Sequence, residues 1–244
     1  MIELNRIYNE DCLEGMKRIP DKSVDMILCD LPYGTTRNKW DSIIPLEPLW
    51  EQYERVIKDN GAIILTAQTP FDKVLGVSNL KYLKYEWIWQ KTQGTGHLNA
   101  KKMPMKNHEN ILVFYKKPPT YNPQMREGKP YIQKSGVASS NYGEQVRVVT
   151  ENSGFRYPLS VVEFKSDKGM HPTQKPVALF EYLIRTYTNE NETILDNCMG
   201  SGTTAIACLN TNRNFIGFEL DETYFNIANE RIEKCKENLE HNQK

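Results

Sequence analysis

No apolar run in this 244-residue chain approaches the ~20 positions a membrane-spanning helix needs, and the amino terminus lacks a basic stretch leading into an apolar one. A cytoplasmic protein with no membrane partner is expected. Cysteine is scarce and unpaired in pattern: Cys12, Cys29, Cys198, Cys208 and Cys235 are an odd number with no Cys-x-x-Cys spacing. Reduced structural thiols are therefore expected rather than a disulfide framework or a zinc site, and no metal is anticipated. The Gly-x-x-x-x-Gly-Lys signature of a phosphate-binding loop is missing, as is any internal repeat. Net charge is missing too: 31 basic residues balance 31 acidic ones.

That neutrality is unevenly distributed. Between Lys81 and Lys134 there are 11 lysines and arginines against 3 acids, a local charge of +8 that the rest of the chain must cancel. One basic region on a neutral protein is the footprint of a two-faced nucleic-acid-binding enzyme, although a solvated lysine-rich surface gives the same count.

Along the chain, strand and helix patterns alternate. Short strands are expected at Arg6–Tyr8, Met26–Asp30 and Ala62–Ala67. Leu46, Leu49, Trp50, Tyr53 and Ile57 fall on one helical face that Asn60-Gly61 is expected to close. A helix over Phe71–Leu80 and strands at Tyr85–Trp89 and Glu109–Tyr115 follow, with an irregular Lys91–His108 between the strands. Beyond Pro118 the periodicity fails until about Ser166, apart from possible strands at Gln145–Val149 and Leu159–Phe164. It returns with a helix after Pro176, a strand at Thr193–Asp196, a helix at Thr203–Leu209, a strand at Asn214–Phe218 and a closing helix. The alternation predicts an α/β fold with a mostly parallel sheet covered on both faces. An irregular stretch of that length inside such a domain is more often a functional insertion than a connection.

Two loops carry the chemistry. The first is Asp30-Leu31-Pro32-Tyr33-Gly34, at the end of an apolar strand. It offers a carboxylate, a backbone carbonyl next to a conformationally fixed proline, and a phenol ring: two acceptors and one aromatic face for a planar ring bearing an amine. An ordinary strand-to-turn boundary is the plain reading of those residues taken alone. The second is Asp196-Asn197-Cys198-Met199-Gly200-Ser201-Gly202-Thr203-Thr204, a glycine turn opening a helix, with Phe218-Glu219-Leu220-Asp221 ending the next strand. Glu219 lies 23 residues beyond Asp196, where an acid can accept both hydroxyls of a ribose. Two glycines rather than three argue against a dinucleotide. A nucleoside without phosphates fits better, and S-adenosylmethionine is such a ligand.

The order of these motifs resembles that of the β-class amino-group DNA methyltransferases: Asp-Leu-Pro-Tyr first, a basic irregular middle, His171-Pro172-Thr173-Gln174-Lys175-Pro176, then the glycine loop and Phe218-Glu219-Leu220-Asp221. Leu31 stands where many members carry a first proline. The resemblance implies a circularly permuted, Rossmann-like methyltransferase fold. Its catalytic half would be residues 1–117, a target-recognition insertion 118–166, and the cofactor half 167–244. It implies that Asp30, Leu31, Pro32 and Tyr33 are catalytic and that Asp11 contacts the cofactor adenine with Cys12 beside it. Glu219 and Leu220 would sit at the ribose. Asp196, Met199, Gly200, Ser201, Gly202 and Thr203 would line the rest of the cofactor, and Thr173, Gln174 and Lys175 would hold its carboxylate. Lys101, Lys102 and Lys106 would meet DNA phosphates, and Arg126, Arg147 and Arg156 are candidates for reading bases.

Duplex DNA with base flipping is the implied substrate, with Tyr33 stacking on the flipped base and the Thr35–Asp41 and Gly94–Lys106 loops closing over it. A homodimer and a cognate restriction endonuclease are further candidate partners. An acid rather than a serine at position 30 points to adenine N6, with cytosine N4 as the alternative. A non-catalytic nucleotide-binding protein, and an RNA or protein-glutamine methyltransferase, are the readings from other classes. The core is as good an expectation for Trp40, Trp87 and Trp89 as base contact.

Overall fold

The computed structural model describes residues 2–34, 42–134, 149–167 and 174–242. Trp40 and the 35–41 loop, Arg147 and Thr173 lie outside the described residues. The chain opens with β1 (Arg6–Tyr8) and α1 (Cys12–Met16), whose first turn is capped by Asp11 accepting the N–H groups of Leu13 (2.9 Å) and Glu14 (3.2 Å). Then come β2 (Val24–Asp30), α2 (Leu46–Val56), β3 (Ile57–Ala67) and α3 (Phe71–Ser78). β4 (Leu83–Thr95) and β5 (Lys106–Phe114) form a long antiparallel hairpin.

Pro123–Leu159 is a separate compact unit of small two-stranded pairs: β6 (Arg126–Glu127) with β9 (Phe155–Arg156), and β7 (Tyr131–Lys134) with β8 (Val149–Asn152). The main unit resumes with β10 (Val161–Glu163), α4 (Val177–Tyr187), β11 (Thr193–Asp196), α5 (Thr203–Asn210), β12 (Asn214–Phe218) and α6 (Glu222–Asn242).

The main sheet runs β1-β12-β11-β2-β3-β5-β4-β10, parallel except where β5 opposes β3 and β4. Its central strands β12, β11, β2 and β3 are buried on both faces, and the period-two alternation sorts their side chains. Ile27, Cys29, Ile63 and Leu65 pack with Leu49, Tyr53 and Leu75 of α2 and α3. Met26, Leu28 and Ile64 pack with Leu179, Leu183 and Ala205 of α4 and α5. Trp87 and Trp89 belong to that second core and are 4% and 2% exposed, which leaves neither free to meet a base.

Two element boundaries differ from expectation. α2 ends at Val56 and the chain enters β3 at once, so Asn60-Gly61 lies within a strand rather than closing a helix. Gly61 is needed for close approach instead: a Cβ there would lie 2.8 Å from the Asp25 carbonyl oxygen. Pairing jumps from Val24–Ile57 to Met26–Ala62 across this irregularity, and the Lys58 ammonium meets the Asp25 carboxylate beside it. Lys91–His108 is irregular only in its middle: strand reaches in from both ends, to Thr95 and from Lys106. The ladder of β4 and β5 continues past the apolar residues, and only His97–Asn99 makes a short 3₁₀ turn at the tip. Sequence periodicity misses it because this arm faces solvent on both sides, so alternation has nothing to mark.

Candidate active site

β11 and β2 are neighbours, and the chain leaves them in opposite directions across the sheet: β12 and β1 on one side, β3 and the hairpin on the other. Their carboxyl ends, Asp196 and Asp30, therefore flank a topological switch point, where open α/β sheets hold ligands. A cavity of about 580 Å³ opens there. It brings together Asp11 and Cys12; Asp30, Leu31, Pro32 and Tyr33; Gln174 and Lys175; Asp196, Met199, Gly200, Ser201 and Thr203; and Glu219 and Leu220. Gly202 does not line it. Gly202 is in the left-handed region at φ +88°, with its Cα face against Ala228 of α6, where an added Cβ would lie 3.1 Å from the alanine Cβ. Its task is the turn and the packing of two helices.

At one end of the cavity the glycine loop is held by acids. Glu219 accepts the Gly200 N–H at 2.7 Å and the Asp221 N–H at 2.8 Å, and burial raises its pKa. Gly200 adopts φ +53°, and nothing lies within 4 Å of where its Cβ would be. The space in front of that backbone is the cavity itself, a cradle that a side chain would fill. Asp196 accepts the Cys198 N–H at 3.0 Å and the Thr204 hydroxyl, and burial pushes its pKa up to about 6. Asn197, tied to the Tyr53 hydroxyl, turns its amide to the sulfurs of Cys12 (3.6 Å) and Cys198 (3.4 Å). All five cysteines are free thiols.

At the other end Asp30 is the hub. Its Oδ1 accepts the Tyr33 hydroxyl at 2.6 Å and the Thr66 hydroxyl, and its Oδ2 receives Lys175 Nζ at 2.6 Å. Burial, and after it the Asp30 charge, holds the Tyr33 phenol well above its usual pKa, so it remains a donor. The Tyr33 ring leans on Phe71 with centroids 5.4 Å apart, and the Lys175 ammonium stands 5.6 Å from the ring centre. Lys175 is 5% exposed. Burial alone would lower its pKa, but Asp30 and Glu109 reverse the effect and hold it above the ordinary value. Its charge is directed at the Asp30 carboxylate and at Glu109.

Sequence reasoning missed Thr66, Glu109, Lys91 and Gln68, all of which serve this end of the cavity. Two of them left a faint signal: Thr66 is the one polar break in Ala62–Ala67, and Glu109 is an acid at the head of an apolar run. Lys106, at the start of β5, donates to Gln68 Oε1 at 2.7 Å. Lys101 and Lys102 are exposed near the tip of the hairpin. Within the second unit Arg126 donates to the Tyr157 carbonyl at 3.2 Å. Arg156 is engaged by Asn152, by the Phe155 and Lys129 carbonyls and by the Tyr131 ring face.

The DNA methylase family profile matches residues 24–230, which include both loops of the cavity. The chain belongs to the N6/N4 DNA methylase family. The methylase is 30% identical over 256 residues to the Type II methyltransferase M1.MboII of Moraxella bovis, covering 94% of this chain and 96% of that one. Its fold is that of the DNA methyltransferases. The crystal structure of the M1.HpyAVI complex with S-adenosylmethionine superimposes with a TM-score of 0.65 at 28% identity, over 95% of this chain and 100% of that one. PvuII DNA methyltransferase, specific for cytosine N4, shares the fold with a TM-score of 0.71 at 14% identity, over 97% of this chain and 92% of that one.

Proposed function

We propose that the methylase transfers a methyl group from S-adenosylmethionine to the N6 amine of adenine in duplex DNA. The observation that carries this reading is the Asp30 carboxylate, oriented from two sides at the mouth of β2 and opening onto the same cavity as the glycine loop. The glycine-loop end fits the nucleoside part of the cofactor: Glu219 at the end of β12 for the ribose, Asp11 and Cys12 alongside, and the open cradle before Gly200 and Ser201. A relative of this chain was solved with that cofactor.

S-adenosylmethionine supplies an electrophilic methyl group, whose carbon–sulfur bond breaks with its electron pair left on sulfur as the new carbon–nitrogen bond forms. The protein's contribution is geometry and charge. An aromatic amine is a poor nucleophile because its lone pair is delocalised into the ring. Asp30 Oδ2 and the Leu31 carbonyl oxygen accept its two hydrogens and orient the nitrogen toward the cofactor. The positive charge developing on nitrogen then faces a fixed carboxylate, and one amine proton leaves by way of Asp30 to water. The Tyr33 and Thr66 hydroxyls hold Asp30 in place through Oδ1, so the carboxylate itself reorganises little in the step.

The target base reaches this cavity only when flipped from the duplex, and Tyr33 provides its stacking face. Lys101 and Lys102 on the hairpin meet phosphates, and the Pro123–Leu159 unit reads base edges. Incubation with labelled S-adenosylmethionine and unmethylated genomic DNA, followed by digestion to nucleosides, tests the assignment. N6-methyldeoxyadenosine is expected. N4-methyldeoxycytidine would retain the chemistry and overturn the base.

A further inference from the structure

Glu109 is a buried acid of the cavity with no part in the methyl transfer itself. It sits in β5 opposite Trp89 of β4, lines the cavity, and its side chain is 9% exposed. The two oxygens are unequal. Oε1 is bound by the Lys91 ammonium, which also stands 4.7 Å from the Trp89 ring centre. Oε2 has no hydrogen-bond partner among the described residues, and Lys175 Nζ lies 3.3 Å from it without bonding geometry. A buried carboxylate oxygen left unsatisfied in a native site is costly and calls for an occupant.

Asp30 shows the complementary problem. Oδ1 already accepts two hydroxyls, from Tyr33 and Thr66, and Oδ2 is bound to Lys175 at 2.6 Å. A carboxylate oxygen has two good acceptor directions. With Oδ1 filled, an incoming amine can bond only to Oδ2, beside an ammonium that neutralises the charge it needs. The two problems share one solution. Lys175 Nζ already lies between the carboxylates, and a shift of well under 1 Å would bring it to normal bonding distance of Glu109 Oε2.

We propose that Glu109 is a positioning residue for methyl transfer, the alternative acceptor to which the Lys175 ammonium passes when the target amine engages Asp30. Lys91 fixes Glu109 through its other oxygen, so that Oε2 stays aimed at Lys175. The row Asp30, Lys175, Glu109, Lys91 alternates in sign and is neutral as a whole. A displacement of Lys175 toward Glu109 therefore raises the negative potential at Asp30 without leaving any charge unpaired. The Lys175–Asp30 contact holds this end of the cavity together, and passing Lys175 to Glu109 frees Asp30 for the amine. No proton or electron moves in this exchange.

The inference rests on Asp30 being the amine acceptor, and the test separates the two. Single-turnover methyl transfer is measured for wild type, Glu109→Gln, Glu109→Asp and Asp30→Asn, each rate expressed per cofactor-binding site found by titration, so that unfolded protein does not count. Glu109→Gln is expected to slow transfer at least 10-fold with cofactor affinity and the KM for DNA within about threefold of wild type. Glu109→Asp, which keeps the charge but withdraws it by a methylene, should fall between. A merely structural role would lower the number of competent sites and leave the rate per site unchanged. A Glu109→Gln rate within twofold of wild type overturns the proposal. Should that variant not fold, Glu109→Asp decides: at least threefold slower supports it, and an unchanged rate overturns it. If Asp30→Asn transfers methyl groups at the wild-type rate, the failure belongs to the Asp30 reading instead.

Discussion

Two acids at the glycine-loop end of the cavity illustrate how residues of one type can be given different work. Glu219 spends one lone pair on each of two backbone N–H groups and keeps acceptor capacity on the cavity side. Removing it as Glu219→Ala should weaken S-adenosylmethionine binding by about 10–100-fold, the ~1.5–3 kcal/mol of a hydrogen bond to a charged group. Calorimetric titration measures this, and unchanged affinity would remove Glu219 from the ribose. Asp196 is fully enclosed and serves the loop itself. Its folded pKa, about 6, lies above the ordinary 3.8, so it favours the fold fully below pH 4 and loses that contribution as pH rises through 6. The charged form at neutral pH then costs about 3 kcal/mol. Asp196→Asn should therefore gain stability relative to wild type by up to that amount between pH 4 and 7.5. Urea denaturation at the two pH values checks the sign, and a difference independent of pH would contradict it. Asp30 and Glu219 stood out because an apolar strand ends at or just before each, and Tyr33 because it follows in the loop after β2. Glu109 did not, since its use depends on β5 lying antiparallel beside β3 and β4, a pairing that no local pattern states.

At the level of elements, the sequence marks best those with a buried apolar run or stripe. α4, β11, α5 and β12 lie where their apolar spacing and glycine turn place them. The errors fell where a residue's usual signal was overridden by tertiary contact. Gly61 reads as a helix stop, yet its missing side chain lets β3 pass the Asp25 carbonyl. The ends of the β4–β5 arm, Lys91–Thr95 and Lys106–His108, carry no alternation because both of their faces are polar, though its middle is the loop expected. That arm carries Lys101 and Lys102, exposed beyond a strand that begins at Lys106. If they neutralise one phosphate each, Lys101→Ala with Lys102→Ala should weaken DNA binding equally on all sequences. It should also reduce the salt slope of log K by about 1.8. Anisotropy titrations across salt concentrations measure the slope, and an unchanged value would make the pair ordinary surface charge.

The whole molecule divides into a large unit holding the cavity and a small one, Pro123–Leu159, of short strand pairs. Periodicity is lost after Pro118, a few residues before this unit begins, and its strand pairs are too short for any period to register. Among the described residues no helix is long and apolar enough to cross a membrane. In the large unit a single switch point gathers motifs that are 166 residues apart in sequence, from Asp30 to Asp196, around one cavity. Methyl transfer measured side by side for wild type and Asp30→Ala, with cofactor affinity determined on the same preparations, tests this account most directly. Asp30→Ala is expected to lose at least 10²–10³-fold in transfer to adenine while binding S-adenosylmethionine within about threefold of wild type. Transfer at the wild-type rate, or joint loss of transfer and cofactor binding, would contradict it.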